Sequence, residues 1–208
     1  RSGGVWRVTD RHGNGYEAPV VVNAAGAWVD EVAALAGVAP IGIRPLRRTV
    51  FTFTPPPSVD MARVPLVGDV AATFYFKPEG PNVLVSPADE VPSEPCDARV
   101  EEIDVAQAID VVNAATVFDV RHVRSSWAGL RNFVADRSPV AGFAEDAEGF
   151  FWFAGQGGYG IQISPALAAA GAAIVRSGTV TPELAARGLT ASDLGPARLA
   201  GITEPVGH

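Results

Sequence analysis

Residues Gly149 to Leu167 read GFFWFAGQGGYGIQISPAL, and the reading of this stretch decides the fold. The aromatic run Phe150-Phe151-Trp152-Phe153-Ala154 has the character of a fully buried strand. It breaks on Gly155, Gly157, Gly158 and Gly160, interrupted only by Gln156 and Tyr159. From Ile161 to Val175 the chain is apolar and Ala-rich, which predicts a helix. A strand, a glycine turn and a helix bring bare backbone amides and the positive end of a helix toward a ligand, where negative charge is stabilised. A tight strand–helix corner without any ligand fits the same glycines.

The rest of the composition narrows the classes. With 208 residues, 48% hydrophobic and 19% charged, the chain can bury a core and is not of disordered type. A net charge of −7 argues against a nucleic-acid partner, which needs a basic face. Cys96 is the single cysteine, so no intrachain disulfide framework or cysteine-based metal site is available. His12, His122 and His208 lie too far apart for metal-ligand spacing, so no metal is expected. No apolar run approaches the roughly 18 residues of a membrane span, and no secretory signal is read. A cytoplasmic setting is the expectation.

Outward from the glycine stretch, Val5 to Thr9 alternates as a strand, and Arg11 to Gly15 has hairpin-turn chemistry. Pro19 to Asn23, with its Val20-Val21-Val22 centre, reads as a buried parallel strand. It runs through Ala24-Ala25-Gly26 into a helix from Ala27 to Ala36, closed by Gly37. Such a strand–small turn–helix unit is typical of a dinucleotide-binding sheet, although G-x-G-x-x-G is not found. Arg47 to Thr54 is a strand stopped by Pro55-Pro56-Pro57, while Thr73 to Lys77 and Asn82 to Ser86 form a hairpin. Asp89 to Asp104 is acidic and reads as a solvated loop and helix entry, with Asp104 the N-cap of a helix that buries Val105, Ala108, Ile109 and Val112. Val120 to Leu130 is a strand with Trp127 and Gly129 near its end, and the segment after Arg176 is expected to be peripheral. The fold class is α/β (α+β): part of a parallel sheet with an inserted, mainly antiparallel sheet.

No nucleophile–base pair, Ser-His-Asp order or G-x-S-x-G elbow is visible. Arg131 leaves the end of the Trp127-Ala128-Gly129-Leu130 strand, where its guanidinium fork suits a carboxylate; a surface salt bridge is the other reading. Of Arg47 and Arg48, alternation turns one inward, and a buried arginine requires an anionic partner, from protein or substrate. Tyr75 faces away from Phe74 and Phe76, so its hydroxyl lines a cavity or bonds to backbone. Trp6, Trp28 and Trp152 are most simply core.

Taken together, VVNAAGAWVDEVAALAG, WAGLRNFVADRSPVAG and GFFWFAGQGGYGIQISPAL resemble the C-terminal part of the FAD-dependent D-amino acid oxidase/glycine oxidase superfamily. PLRRTVFTF, FYFKPEGPNVLVSPADE and the GGYGIQ segment are more closely similar to D-arginine dehydrogenases, flavoenzymes of broad specificity for D-amino acids. The resemblance spans about Val20 to Val175 with order and spacing kept. It implies that Arg131 and Arg48 bind a substrate carboxylate, that the Tyr75 hydroxyl adds a hydrogen bond, and that the Gly158 carbonyl accepts from the substrate amine. Gly129, Gly155, Gly157, Tyr159, Gly160, Ile161 and Gln162 would lie along the cofactor, with Ala24, Ala25, Gly26 and Trp28 packed near it. Residues 1–43 and 132–180 would be the C-terminal part of the FAD-binding domain, 44–131 the substrate-binding domain, and 181–208 a tail.

The implied chemistry is hydride transfer from the substrate Cα to flavin N5, giving an imino acid that water hydrolyses to a 2-oxo acid and ammonia. Cys96 lies far from the glycine turn, so the FAD is expected to be non-covalent. The chain lacks the N-terminal glycine fingerprint of such enzymes and is expected to be about the C-terminal half of one. Its partners would then be a small D-amino acid and the missing FAD-binding half or a subunit carrying it. A glycine/sarcosine-type secondary amine oxidase and a non-catalytic subunit share the architecture and stay open.

Overall fold

In a computed structural model that describes residues 3–202, the chain forms two compact units, Arg1–Arg44 with Arg131–His208, and Pro45–Leu130. His208 and the last residues of the 181–208 tail lie outside the described residues. In chain order the elements are β1 (Trp6–Thr9), β2 (Gly15–Ala18), β3 (Val21–Asn23), a 3-10 turn (Gly26–Trp28), α1 (Val29–Ala36), β4 (Arg44–Phe53), β5 (Val67–Gly68), β6 (Tyr75–Glu79) and β7 (Asn82–Ser86). They continue with β8 (Val91–Pro92), α2 (Glu102–Ala115), β9 (Ser125–Phe133), β10 (Val140–Phe143), β11 (Phe150–Ala154), α3 (Gly160–Ser177), α4 (Pro182–Ala185), α5 (Ala191–Leu194) and a 3-10 turn (Pro196–Leu199). The mixed α/β class matches the expectation.

The first unit is built on β11. This strand pairs antiparallel with β10 and parallel with β3, in register Phe150↔Val21 to Trp152↔Asn23. Its period-two alternation sends Phe150, Trp152 and Ala154 into one cluster with Val29, Ala33, Val134 and Val140. Phe151 turns the other way, to Leu167, Ala170 and Ile174 of α3. Helices therefore cover both faces, as a parallel pair requires. Val22 departs from the buried reading of its strand: it is half exposed, because β3 is the edge of this three-stranded sheet.

Helix ends follow local chemistry. Gly37 takes φ +69° and its amide, with that of Val38, closes α1 on the carbonyls of Ala34 and Ala33. Pro165 inside α3 has no amide to give the Ile161 carbonyl, and the Ser164 hydroxyl donates to that oxygen at 2.8 Å instead. The segment after Arg176, as far as residue 202, is not peripheral. Val180 and Leu194 are buried against α3 and β10, and Gly142 of β10 lies so near the Gly195 backbone that a Cβ there would come within 2.9 Å. Apolar residues spaced over short helices produced no periodicity to read in sequence.

In the second unit, β4 is the long strand to which β7, β8 and β9 pair. Phe51, Phe53, Phe76, Val83 and Val85 face Ala108 and Val112 of α2, with Val105 and Ile109 packed beside them. Phe118 meets Phe53 and Phe76 edge-on at 5.2 and 5.1 Å. Two sequence expectations shift. Asp104 is not the N-cap; Glu101 holds that place, and Asp104 sits in the first turn bonded to Arg47 at 2.8 Å. The strand expected from Val120 begins at Ser125, because Val120 is used to close the loop after α2 by two hydrogen bonds with Asn113.

Gly171 sits mid-helix in α3, where glycine costs about 1 kcal/mol relative to alanine. A Cβ at that position would come within 2.7 Å of the Phe153 ring. Gly171→Ala is therefore expected to destabilise the protein by about 1–3 kcal/mol in denaturant unfolding. A stabilised variant would contradict this account of the α3–β11 contact.

Candidate functional site

Parallel strands leave a sheet on the same side, and ligands of α/β folds sit at their carboxyl ends. The carboxyl ends of β3 and β11 lead into Ala24–Trp28 and Gly155–Tyr159. Both segments meet Asn132 of β9. The Gly157 amide donates to the Asn132 carbonyl at 3.0 Å, and a Cβ on Gly26 would stand 3.9 Å from the Asn132 amide nitrogen. Asn132 was not singled out in the sequence; its only signal was a place inside WAGLRNF.

The corner needs its glycines. Gly155 and Gly157 take φ of +69° and +58°, the left-handed region that β-carbons disfavour. A Cβ on Gly157 would collide with the Phe133 ring. At Gly158 the space a side chain would occupy is filled by the Arg131 guanidinium, which lies 5.8 Å from the centroid of Phe133. Gly158 itself is exposed, and Tyr159 is the N-cap residue of α3. Gly160, Ile161 and Gln162 form the first turn; Ile161 and Gln162 are exposed, with Ile161 at 94%. The amides of this first turn have no partner further back in the helix and make its end positive.

On the β3 side, Asn23 is 2% exposed and ties strand to helix: its amide donates to the Val29 carbonyl at 2.8 Å and its oxygen accepts from Ala25. Asparagine after a β-branched run is turn chemistry that could have marked it. Trp28 is 42% exposed, which corrects its reading as core; the 3-10 turn Gly26–Trp28 buries Ala27 instead. Trp6 and Trp152 are core. Gly129 is exposed, on the same face of β9 as Arg131.

The turn between β9 and β10 closes the corner. Tyr159 donates its hydroxyl to the Arg137 carbonyl at 3.0 Å, and the Arg137 guanidinium lies 3.9 Å over Phe133. Asp136 is gripped by Arg198 at 2.7 Å. Burial of the Asp136 carboxyl acts to raise its pKa, but the Arg198 guanidinium and the Ser138 amide outweigh it and hold the group below its ordinary value.

In the second unit, Arg48 and Tyr75 leave the same face of one sheet, opposite the phenylalanine core. Both arginines of the pair have protein anions. Arg47 meets Glu101 at 2.9 Å and Asp104 at 2.8 Å; Arg48 donates to the Asp89 carbonyl at 2.5 Å and to Glu90 at 3.3 Å. Asp89 also accepts from the Thr49 amide at 2.8 Å. The acidic stretch is thus not simply solvated: Asp89, Glu90, Glu101 and Asp104 neutralise two strand arginines. Cys96 is exposed, in the loop before α2. Among the described residues no group of three or more His, Cys, Asp or Glu could hold a metal, and no helix is long and apolar enough to cross a membrane.

Comparison with known proteins gives this geometry a setting. Residues 1–174 match the family model described as DAO, FAD dependent oxidoreductase. The FAD-dependent oxidoreductase domain-containing protein 1 of Bos taurus is 31% identical over 179 residues, 78% of this chain and 36% of that protein. The structure of L-proline dehydrogenase from P. horikoshii superposes with a TM-score of 0.72 at 21% identity, over 92% of this chain and 50% of that one. Glycine oxidase from Geobacillus kaustophilus gives 0.63 at 24% identity, over 79% and 43%. The chain thus spans about a third of the curated relative and half or less of these solved structures.

The Asp136 environment makes a pH prediction. A carboxyl held low in the folded state contributes stability that is present above its unfolded pKa, about 3.9, and is lost as pH falls through the folded value. Asp136→Asn is expected to be less stable than wild type at pH 7, with the gap closing as pH drops below about 4. Urea unfolding at several pH values measures it; a gap that persists unchanged at pH 2 would contradict the assignment.

Proposed function

The chain belongs to the DAO family of FAD-dependent oxidoreductases, and on that premise we propose that it supplies the substrate-gripping part of an enzyme that oxidises D-amino acids. The observation that carries this reading is the Arg131 guanidinium seated on exposed Gly158, at the carboxyl ends of two parallel strands. The corner suits FAD: Gly155 and Gly157 have positive φ, and Gly158, Ile161 and Gln162 are exposed at the start of α3. Gly155, Gly157, Tyr159, Gly160, Ile161 and Gln162 would hold the cofactor non-covalently, together with Ala24, Ala25, Gly26, Trp28 and Gly129. When bound, FAD supplies the two-electron acceptor that turns the amino acid into an imino acid, which water hydrolyses to a 2-oxo acid and ammonia.

The chain's own residues would bind and orient. Arg131 offers a planar fork to the substrate carboxylate, and the Gly158 carbonyl accepts from the substrate amine. The positive end of α3 stabilises negative charge beside the corner. Arg48 and Tyr75 would serve the carboxylate from the second unit. Arg48 is held by Asp89 and Glu90, so a substrate carboxylate would compete with these for its donors. In this reading 1–43 and 132–180 serve the cofactor and 44–131 the substrate, D-arginine-type breadth is the nearest specificity, and the enzyme works in the cytoplasm.

The test is a substrate panel with an artificial electron acceptor, run on the chain joined to the FAD-binding half it is proposed to work with, using both enantiomers of basic and neutral amino acids beside glycine, sarcosine and proline. Turnover of D-enantiomers supports the reading; turnover confined to glycine, sarcosine or proline would replace it with secondary-amine oxidation. Arg131→Ala is expected to raise KM on the order of 10²-fold, the loss of a charge-assisted pair. Arg48→Ala is expected to raise it about tenfold, since Asp89 and Glu90 hold its donors. An unchanged KM in Arg131→Ala would remove Arg131 from the carboxylate site.

A further inference from the structure

We propose that Arg198 is a positioning residue for the glycine corner, acting through the turn between β9 and β10; the proposal rests on reading that corner as the cofactor-facing one. Arg198 stands 62 residues from its partner Asp136, in the 3-10 turn Pro196–Leu199. Its side chain is 15% exposed. It donates to the Asp136 carboxylate at 2.7 and 3.3 Å, to the Ser138 carbonyl at 2.8 Å, to the Pro139 carbonyl at 3.1 Å and to the Gly195 carbonyl at 2.9 Å. Four of those five bonds end on one turn. Asp136 in addition accepts from the Ser138 amide at 3.0 Å.

What they fix is Arg137, a non-glycine residue at φ +60°. A side chain in the left-handed region persists only where its surroundings over-determine it, and the Arg198 bonds on either side of Arg137 do so. Two contacts of the corner depend on Arg137. Its carbonyl accepts the Tyr159 hydroxyl, at the start of α3, and its guanidinium covers the Phe133 ring, whose edge fills the space beside Gly157. The path runs from Arg198 to the turn, from the turn to Tyr159 and Phe133, and from these to the start of α3 and to Gly157. Anchoring the tail does not by itself require this arginine, since Val180 and Leu194 already bury apolar surface against α3 and β10.

Amide hydrogen exchange on the purified protein, compared among wild type, Arg198→Met, Arg198→Lys and Tyr159→Phe, tests this. Arg198→Met keeps the aliphatic stem and removes every donor. The expected result is exchange at least about tenfold faster at residues 155–160 in Arg198→Met, and an intermediate effect in Arg198→Lys, which keeps a charge for Asp136. The Gly157 amide, bonded to the Asn132 carbonyl, is the most sensitive reporter. β11, the last turns of α3, and β6 and β7 of the other unit should keep wild-type rates. Adding Tyr159→Phe to Arg198→Met should increase the effect no further, because both act on one contact.

Unchanged rates at 155–160 would overturn the proposal. So would an equal rise across β11 and all of α3, which is general loosening, or full additivity with Tyr159→Phe. Should Arg198→Met not fold, Arg198→Lys with and without Tyr159→Phe gives the same comparison. FAD titration of the same proteins, followed by flavin fluorescence, separates the two levels. Weaker FAD binding in Arg198→Met agrees with the proposal. No FAD binding by wild type even when joined to the FAD-binding half it is proposed to work with overturns the cofactor reading, and the exchange rates then decide the positioning role alone.

Discussion

The hydrogen bond from the Gly157 amide to the Asn132 carbonyl joins the end of β9 to the turn after β11, and the rest of the site depends on that junction. It holds Arg131 beside Gly158 at so short a range that only glycine leaves room. It also fixes Phe133 under Gly157, so a guanidinium and a ring occupy the space that two side chains would otherwise need. The backbone there is shaped by exclusion: every extra carbon on the corner meets something already in place. A site formed this way is rigid without being buried, because its precision comes from packing behind the backbone.

The sheet explains why the junction lies where it does. β3 and β11 run parallel, so their following turns emerge together, and both reach Asn132. Helices on both faces bury the aromatic alternation of β11, and this packing sets the level at which α3 begins. The tail adds a polar lock behind the corner, where Arg198 donates to the Ser138 and Pro139 carbonyls of the turn around Arg137.

The second unit follows a different economy. Its phenylalanine face is closed by α2, while the strand arginines on either face are neutralised by carboxylates from the β7–β8 loop and from the start of α2. A half-buried arginine is costly without an anion, and the acidic stretch supplies it. The pairing leaves Arg48 and Tyr75 on one face of the sheet and gives the acidic loop a structural reason to exist.

The sequence by itself determined the elements whose signals are local. The aromatic strand, the glycine corner, α3, the Gly37 cap, the β6–β7 hairpin and the buried face of α2 were all legible, because each depends on side-chain period or on a residue with unusual backbone freedom. Family-level kinship was legible too, because its motifs keep order along the chain. The partners of charges were not. That Asp89 and Glu90 hold Arg48, that Arg198 holds Asp136, and that Asn132 joins two glycine turns were decided only by tertiary structure. These are contacts between residues from 25 to 106 positions apart, created by folding and carried by no periodicity. The edge exposure of Val22 and the burial of Leu194 belong to the same class, since burial depends on which neighbour a strand or a short helix finds.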